Sequence, residues 1–450
     1  MVSTICILKM RFLSSLSRLR LVLRTEQLSS VGNAHFGLEH RCFRAGYAEA
    51  EVAEEDTADF PGARVPTTSK LEFIGGAGKP PEPIQCYRLV RRNGEPIPGA
   101  EVPHPLSKEL STKMYETMVK LQVMDLIFYE AQRQGRFSFY MTSNGEEATV
   151  VGSAAALTDQ DQIFAQYREQ GALLWRGFTL QQMADQCFGN ELDPGKGRQM
   201  PIHYGSQSLA FHTISSSLGT QLPHAVGTAY AMKLEGSDSL AATYFGDGAA
   251  SEGDFHAALN FAATLEAPVL FICRNNGWAI STPVEEQYRG DGIAGRGPSY
   301  GVATVRVDGG DALAVYNAVR ASRALAMERR QPVLIECLSY RSGHHSTSDD
   351  SSKYRASDEI SSWKARDPVA RFQSWMAHQG WWDEESEQQL RLAARREVLA
   401  ALDAAESVPK PPLTEMFTDV YDSMPWNLCE QQEEVLEYVR QHPEELPAGM

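Results

Sequence analysis

Motifs for zinc and for nucleotide phosphates are missing from this 450-residue chain. Its seven cysteines stand at 6, 42, 86, 187, 273, 337 and 429 with no CxxC pair. That excludes a zinc ribbon and a dithiol centre, and it speaks for a reducing compartment over a disulfide framework. There is no HExxH, which removes the zincin reading. DPGKGRQ (193–199) has a GK without the Ser or Thr of a P-loop, and GDGAAS (246–251) lacks the third glycine of a dinucleotide turn. Apolar runs such as APVLFIC (267–273) fall far short of the ~20 residues of a bilayer span, so a soluble protein with no membrane partner is expected. A net charge of -16 speaks against nucleic acid, whose phosphates need clustered Lys and Arg.

What is present begins with an unlike N-terminus. Lys9, Arg11, Arg18, Arg20 and Arg24 precede any acid, the first being Glu26, and Leu13, Leu16, Leu19 and Leu23 recur at helical spacing. A basic, acid-free amphipathic start is the composition of a mitochondrial transit peptide, so residues 1–30 are expected to be a targeting segment and the mature chain a matrix protein. Residues 31–105 read as linker and arm. The acidic run EAEVAEEDTAD (49–59) has no hydrophobic period, and nine prolines between Pro61 and Pro105 imply an extended stretch laid on another surface. Met114, Met118, Leu121, Met124 and Phe128 then make a helical stripe that starts near Ser107 or Ser111 and stops at Gly135. Further on, strands at 163–165, 241–245, 269–273 and 333–337 alternate with helices at 223–234 and 250–266. That alternation predicts an α/β domain over 106–375, a doubly wound parallel sheet with helices on both faces. From 376 to 450 the chain reads as a charged helical region suited to subunit contacts.

The chemistry is concentrated in YFGDGAASEGDFHAALNFAATLEAPVLFICRNNGWAIS (244–281). A strand ends at Phe245, and Gly246-Asp247-Gly248 make a tight turn that lets backbone approach a ligand. A helix then runs back and the strand 269–273 returns, so Arg274, Asn275 and Asn276 emerge beside Asp247 at the carboxyl ends of parallel strands, where open α/β sheets bind ligands. A carboxylate, an amide oxygen and a nearby backbone carbonyl suit Mg²⁺, and the start of the following helix offers N–H groups to a diphosphate. Taken alone, Asp247 could be a turn acid capping a helix and Asn275–Asn276 a polar turn; their placement on one βαβ unit favours a Mg²⁺–diphosphate site.

GDG followed 26 residues later by NN is the thiamine-diphosphate signature, and the chain resembles the α subunits of the decarboxylating component of 2-oxoacid dehydrogenase complexes. The matching blocks run in order: SFYMTSNGEEA, FAQYREQG, GKGRQMPIHYG, TISSSLGTQ, GDGAASEGD, CRNNGWAIS, RGDGIAGRGP, YRSGHHSTSDDSS and QGWWDEE. GKGRQMPIHYG and RSGHHSTSDDSS look most like the branched-chain member, with the pyruvate member as the alternative. The resemblance implies the thiamine-diphosphate-binding fold and three cofactors: thiamine diphosphate, Mg²⁺ and K⁺. It implies Mg²⁺ at Asp247, the Asn276 side chain and the Trp278 carbonyl, and diphosphate contacts from Gly248, Ala249, Arg274, Tyr167 and Arg168. Ser216 would sit at the cofactor, Ser215, Ser217, Thr220 and Gln221 would hold K⁺, and His345 would be catalytic. The implied partners are a β subunit in an α₂β₂ assembly, which would also supply the activating carboxylate, a lipoyl-bearing dihydrolipoyl acyltransferase core, and a regulatory kinase and phosphatase. The sequence departs from the branched-chain pattern at Asp247, where Glu is usual, at Trp278, where Tyr is usual, and at Ala356, where a second regulatory serine would stand. Outside this family, the same turn could serve a Mg²⁺-dependent phosphate-transfer enzyme, or the chain could be a non-catalytic scaffold.

The stretch YRSGHHSTSDDSS (340–352) follows the strand 333–337 and leaves the sheet at the same edge. Adjacent His344 and His345 point apart, so metal binding is disfavoured and a solvated loop is the plain alternative. The resemblance makes it a switch loop over the cofactor, with Ser346 as its phosphorylation site.

Overall fold

The computed structural model describes residues 57–60, 63–71 and 82–445, and the chain divides into two units, Met1–Pro81 and Glu82–Met450. The expected targeting segment 1–30 and most of the linker lie outside the described residues. In the first unit Thr57–Phe60 and Ala63–Pro66 pair as an antiparallel hairpin.

The second unit is built on seven strands: Cys86–Tyr87 (β1), Gln162–Phe164 (β2), Phe211–His212 (β3), Ala241–Gly246 (β4), Val269–Asn275 (β5), Ala303–Asp308 (β6) and Val333–Leu338 (β7). Their spatial order is β1-β6-β7-β5-β4-β2-β3, and every neighbouring pair is parallel. All residues of β4 and β5 are buried, as expected of a parallel sheet covered on both faces. No helix among the described residues is long and apolar enough to cross a membrane.

The helix Lys108–Arg133 begins where Ser107 Oγ accepts the Leu110 N–H, and its apolar stripe is buried. Gly135, at φ +81°, ends it as the sequence suggests. Three strands of this seven-stranded sheet escape sequence reading: β1 and β3 are two residues long, and β6 (ATVRVD) carries a buried arginine in mid-strand. The helix expected over 250–266 is shorter. A 3₁₀ turn at Ala249–Ser251 comes first, Glu252 adopts extended backbone, and the α-helix spans Gly253–Thr264. The N–H groups facing the GDG turn are therefore those of a 3₁₀ turn.

The proline-rich arm meets its own chain over part of its length. Its described part adds β1 to this chain's own sheet, beside Arg306 and Val307. Asp311 caps the helix Ala312–Arg329 and accepts the N–H groups of Leu89 and Val90 at 2.8 and 2.7 Å. Likewise the helix Glu384–Ser407 packs on Lys108–Arg133 and on Leu180–Phe188 of the same chain, with Tyr115 Oη donating to Glu387 at 2.7 Å.

Candidate active site at the carboxyl edge of the sheet

Strands β4 and β5 end level with one another, Gly246 opposite Arg274, so the two turns that follow share one edge. The Gly246 N–H donates to Gln166 Oε1 at 2.9 Å, which ties the GDG turn to the segment after β2. Asp247 is 1 % exposed. Its carboxylate accepts from the Asn276 N–H (3.3 Å) and Gln287 Nε2 (3.2 Å), and burial pushes it up to about 6 against those donors. At Gly248 an added Cβ would lie 2.8 Å from Ala279 Cβ, so no larger residue fits. Asn276 donates through Nδ2 to Glu146 (2.8 Å), and its Oδ1 accepts the Trp278 N–H at 3.2 Å.

Arg274 is buried between two carboxylates that the sequence reading did not single out. Its Nη1 donates to Glu146 at 2.5 Å and its Nε to Glu169, while its third nitrogen, Nη2, is buried and has no hydrogen-bond partner. Burial alone would raise Glu146, but Arg274 and Arg168 overcome it and hold this acid below the usual carboxylate range. Glu146 lies in the quoted block SNGEEA, and Gln166 and Glu169 lie in FAQYREQG. Their signal was present as polar residues inside otherwise buried segments, yet nothing local reveals which ion they face.

A second cluster gathers around His345. Arg168 donates from Nη1 to the Thr142 carbonyl at 2.5 Å, and from Nη2 to the His345 carbonyl at 2.6 Å and to His345 Nδ1 at 3.2 Å. Arg341 Nη1 lies 3.4 Å from the same Nδ1, and the Tyr167 ring meets the imidazole edge-on at 6.1 Å. Burial, Arg168 and Arg341 push His345 down to about 3. That is far below the ordinary histidine range. The imidazole is neutral, Nδ1 accepts, and the remaining proton sits on Nε2.

The 340–352 stretch is laced to the edge. Arg341 Nη2 donates to the Ile280 carbonyl (2.7 Å), and Glu359 Oε1 accepts from Trp278 Nε1 (3.1 Å) and Tyr340 Oη (2.8 Å). His344 turns the other way, to Ser351 at 2.9 Å, so the two histidines do diverge. Ser346 is 8 % exposed.

In the segment 213–221, Thr220 Oγ1 donates to the Ser217 carbonyl (3.1 Å), the Ser217 N–H donates to Ser215 Oγ (3.3 Å), and Gln221 Nε2 donates to the Tyr244 carbonyl (3.0 Å). Gly219 backs onto Glu252 and Asp254, which sets this segment beside the GDG turn and its helix. Ser216 is hydrogen-bonded to His203 at 2.7 Å, another residue that sequence reading passed over.

Residues 115–414 match the family described as the dehydrogenase E1 component. The chain is 55% identical to the Arabidopsis thaliana protein named 2-oxoisovalerate dehydrogenase subunit alpha 2, mitochondrial, over 393 residues, 87% of this chain and 83% of that one. It is 54% identical over 434 residues to the subunit alpha 1 of the same plant, with 94% and 91% covered. To the Homo sapiens protein named 2-oxoisovalerate dehydrogenase subunit alpha, mitochondrial, it is 52% identical over 394 residues, with 87% and 88% covered. The chain belongs to the dehydrogenase E1 component family. In this E1 chain the resemblance read from GDG…NN therefore holds, and the parallel sheet with its flanking helices is the α/β fold of that family.

One acid beneath the E1 site gives a pH test. Asp125 accepts from Tyr140 Oη (2.8 Å) and the Ser143 N–H (2.6 Å), and burial pushes it up to about 7. Because that lies above its value in an unfolded chain, about 4, the folded protein binds more protons in between. Stability should therefore fall as pH rises from about 4 to about 7 and level off beyond, by at most about 4 kcal/mol. Asp125→Asn keeps both contacts if the Tyr140 hydroxyl turns, and should flatten that window in thermal unfolding; an unchanged slope would remove Asp125 as its source.

Proposed function

We propose that this E1 chain is the α subunit of a branched-chain 2-oxoacid dehydrogenase, decarboxylating branched-chain 2-oxo acids and passing the acyl group to a lipoyl carrier. The observation that carries the reading is the buried, unpartnered Arg274 Nη2 beside a buried Asp247 whose carboxylate meets only the neutral Asn276 N–H and Gln287 amide. One wants an anionic oxygen and the other a positive charge. A Mg²⁺–diphosphate pair answers both, and Gly248 leaves the turn open to it. The residues present fit thiamine diphosphate.

Mg²⁺ would be held by the Asp247 carboxylate, Asn276 Oδ1 and the Trp278 carbonyl, three oxygen donors of the hardness that ion requires. The diphosphate would meet Arg274, Gly248 and Ala249, with Tyr167 and Arg168 alongside and Ser216 against the cofactor. Ser215, Ser217, Thr220 and Gln221 would hold K⁺ through hydroxyl, carbonyl and amide oxygens. Thiamine diphosphate, when bound, supplies the nucleophilic carbon and the electron sink for decarboxylation. His345, neutral and fixed through Nδ1 by Arg168, offers its Nε2 proton to the reacting centre.

The activating carboxylate would come from a β subunit in an α₂β₂ assembly, and the acyl acceptor from a lipoyl-bearing dihydrolipoyl acyltransferase core. The transit-like residues 1–30, together with relatives named as mitochondrial, support a matrix location. Ser346 would be the site of a regulatory kinase and phosphatase.

Reconstitution with the β subunit tests the reading. The assembly should decarboxylate 3-methyl-2-oxobutanoate at least about tenfold more efficiently than pyruvate, and the isolated chain should do neither. Preference for pyruvate would move it to the pyruvate complex, and ATP binding without thiamine-diphosphate binding would make it a phosphate-transfer enzyme.

A further inference from the structure

The block GKGRQMPIHYG (195–205) meets the site as described only through His203, the partner of Ser216. It is held rigidly. Asp193 accepts the Gly195 and Gly197 N–H groups, both at 2.9 Å, and Gln186 Nε2 donates to the Met200 carbonyl at 2.7 Å. From the C-terminal side, Glu415 and Asp419 accept Lys196 Nζ at 2.6 and 2.8 Å. What this frame presents is His203, 5 % exposed.

His203 Nδ1 lies 3.1 Å from the Pro201 carbonyl, an acceptor only, so in the neutral imidazole Nδ1 carries the proton and Nε2 keeps its lone pair. Ser216 Oγ, 2.7 Å from Nε2, must therefore donate to it. The hydroxyl's one hydrogen is thus committed inward, and its oxygen is left only acceptor capacity. Ser216 itself is exposed, so a buried imidazole orients a serine that faces outward. Activation of a nucleophile is a poor account of this pair, because Nδ1 meets a backbone carbonyl where a triad would place a carboxylate.

We propose that His203 is a positioning residue that fixes the Ser216 hydroxyl as a hydrogen-bond acceptor for an N–H donor on the cofactor, the amino group of an aminopyrimidine ring. This rests on the thiamine-diphosphate reading above. His203 acts through Ser216 and touches no reacting atom. Without it the hydroxyl rotates freely and can turn its own hydrogen toward the ring's amine.

The test is a double-mutant cycle on the α–β assembly, read as the dissociation constant of thiamine diphosphate with Mg²⁺ by tryptophan fluorescence. Ser216→Ala and His203→Leu should each weaken binding about tenfold, and the double variant should also lose about tenfold, since one interaction has been removed twice. His203→Gln, whose amide oxygen can reach the Nε2 position, should stay within about threefold of wild type. An additive loss of about a hundredfold in the double variant would overturn the coupling. If His203→Leu does not assemble with β, His203→Gln against His203→Asn decides. The shorter Asn cannot bring an acceptor to Ser216 and should lose the affinity that Gln keeps, whereas equal affinities refute the proposal. Wild-type assembly that binds no thiamine diphosphate sinks the functional reading itself, an outcome distinct from either.

Discussion

Asp247→Ala, assembled with the β subunit, is expected to lose Mg²⁺-dependent thiamine-diphosphate binding by at least about a hundredfold. The carboxylate is the one anionic donor of the proposed metal set, because Asn276 and Trp278 contribute neutral oxygens. It is also buried, so water replaces it poorly. Asp247→Asn separates charge from shape. It keeps an oxygen for the Asn276 N–H, which now lies 3.3 Å away, yet it should bind the metal nearly as badly as alanine. Isothermal titration with Mg²⁺ and thiamine diphosphate together reads the effect, and circular dichroism checks that the fold survives. If either variant retains wild-type affinity, the metal lies elsewhere and Asp247 returns to being a turn residue.

Phosphorylation of Ser346 is expected to stop flux through the complex by at least about tenfold, by taking apart the segment that holds His345. Ser346 is buried, and its neighbour Thr347 is clamped to Tyr140 by backbone and hydroxyl bonds of 3.1 and 3.2 Å. A phosphate brings a charge of about -1.5 to -2 into a place already occupied by Asp349. That carboxylate accepts the His345 N–H at 2.7 Å and Tyr354 Oη at 2.5 Å. Two anions so close cannot share the pocket, and the phosphoserine must swing out. Since His345 hangs on Asp349 from one side and Arg168 from the other, it loses its orientation with the loop. Trypsin should then cut at Arg341, Lys353 and Arg355 faster than in the unmodified protein. Ser346→Ala should resist the kinase and keep its activity. Full lipoyl acylation by stoichiometrically phosphorylated enzyme, with unchanged proteolysis, would return the stretch to a plain surface loop.

Much of this architecture could be read before any coordinates, for specific reasons. Strands β4 and β5 are largely apolar runs and β7 is one interrupted only by Glu336, and a run of that kind between helical segments has one sensible place in a parallel sheet. The GDG and NN turns follow from them, because the ends of adjacent parallel strands must lie together. What escaped notice was long-range and polar. Glu146 and Glu169 sit over a hundred positions before Arg274, and no periodicity points from a carboxylate to its distant arginine. The His203–Ser216 pair is invisible for the same cause, although both residues lay inside blocks already recognised. His345 was placed correctly in the chain, but its neutral state depends on Arg168, 177 positions away, and on the burial that a one-dimensional reading does not weigh.

The strand Cys86–Tyr87 sits at the opposite end of the chain from the partners that complete it. Asp308, Asp311 and Arg371 hold its flanks from 220 to 281 positions further on. At a synthesis rate of about 5–20 residues per second, the first-made strand therefore waits on the order of ten to fifty seconds for its place in the sheet. During that interval Leu89 and Val90, both 2 % exposed in the finished protein, stand in water beside an unpaired strand edge. A nascent chain thus carries a sticky segment whose protection depends on the arrival of its own distal half. A chaperone that shields extended apolar segments would have its natural substrate in residues 84–91, and refolding yield should depend on that region more than on the rest of the sheet.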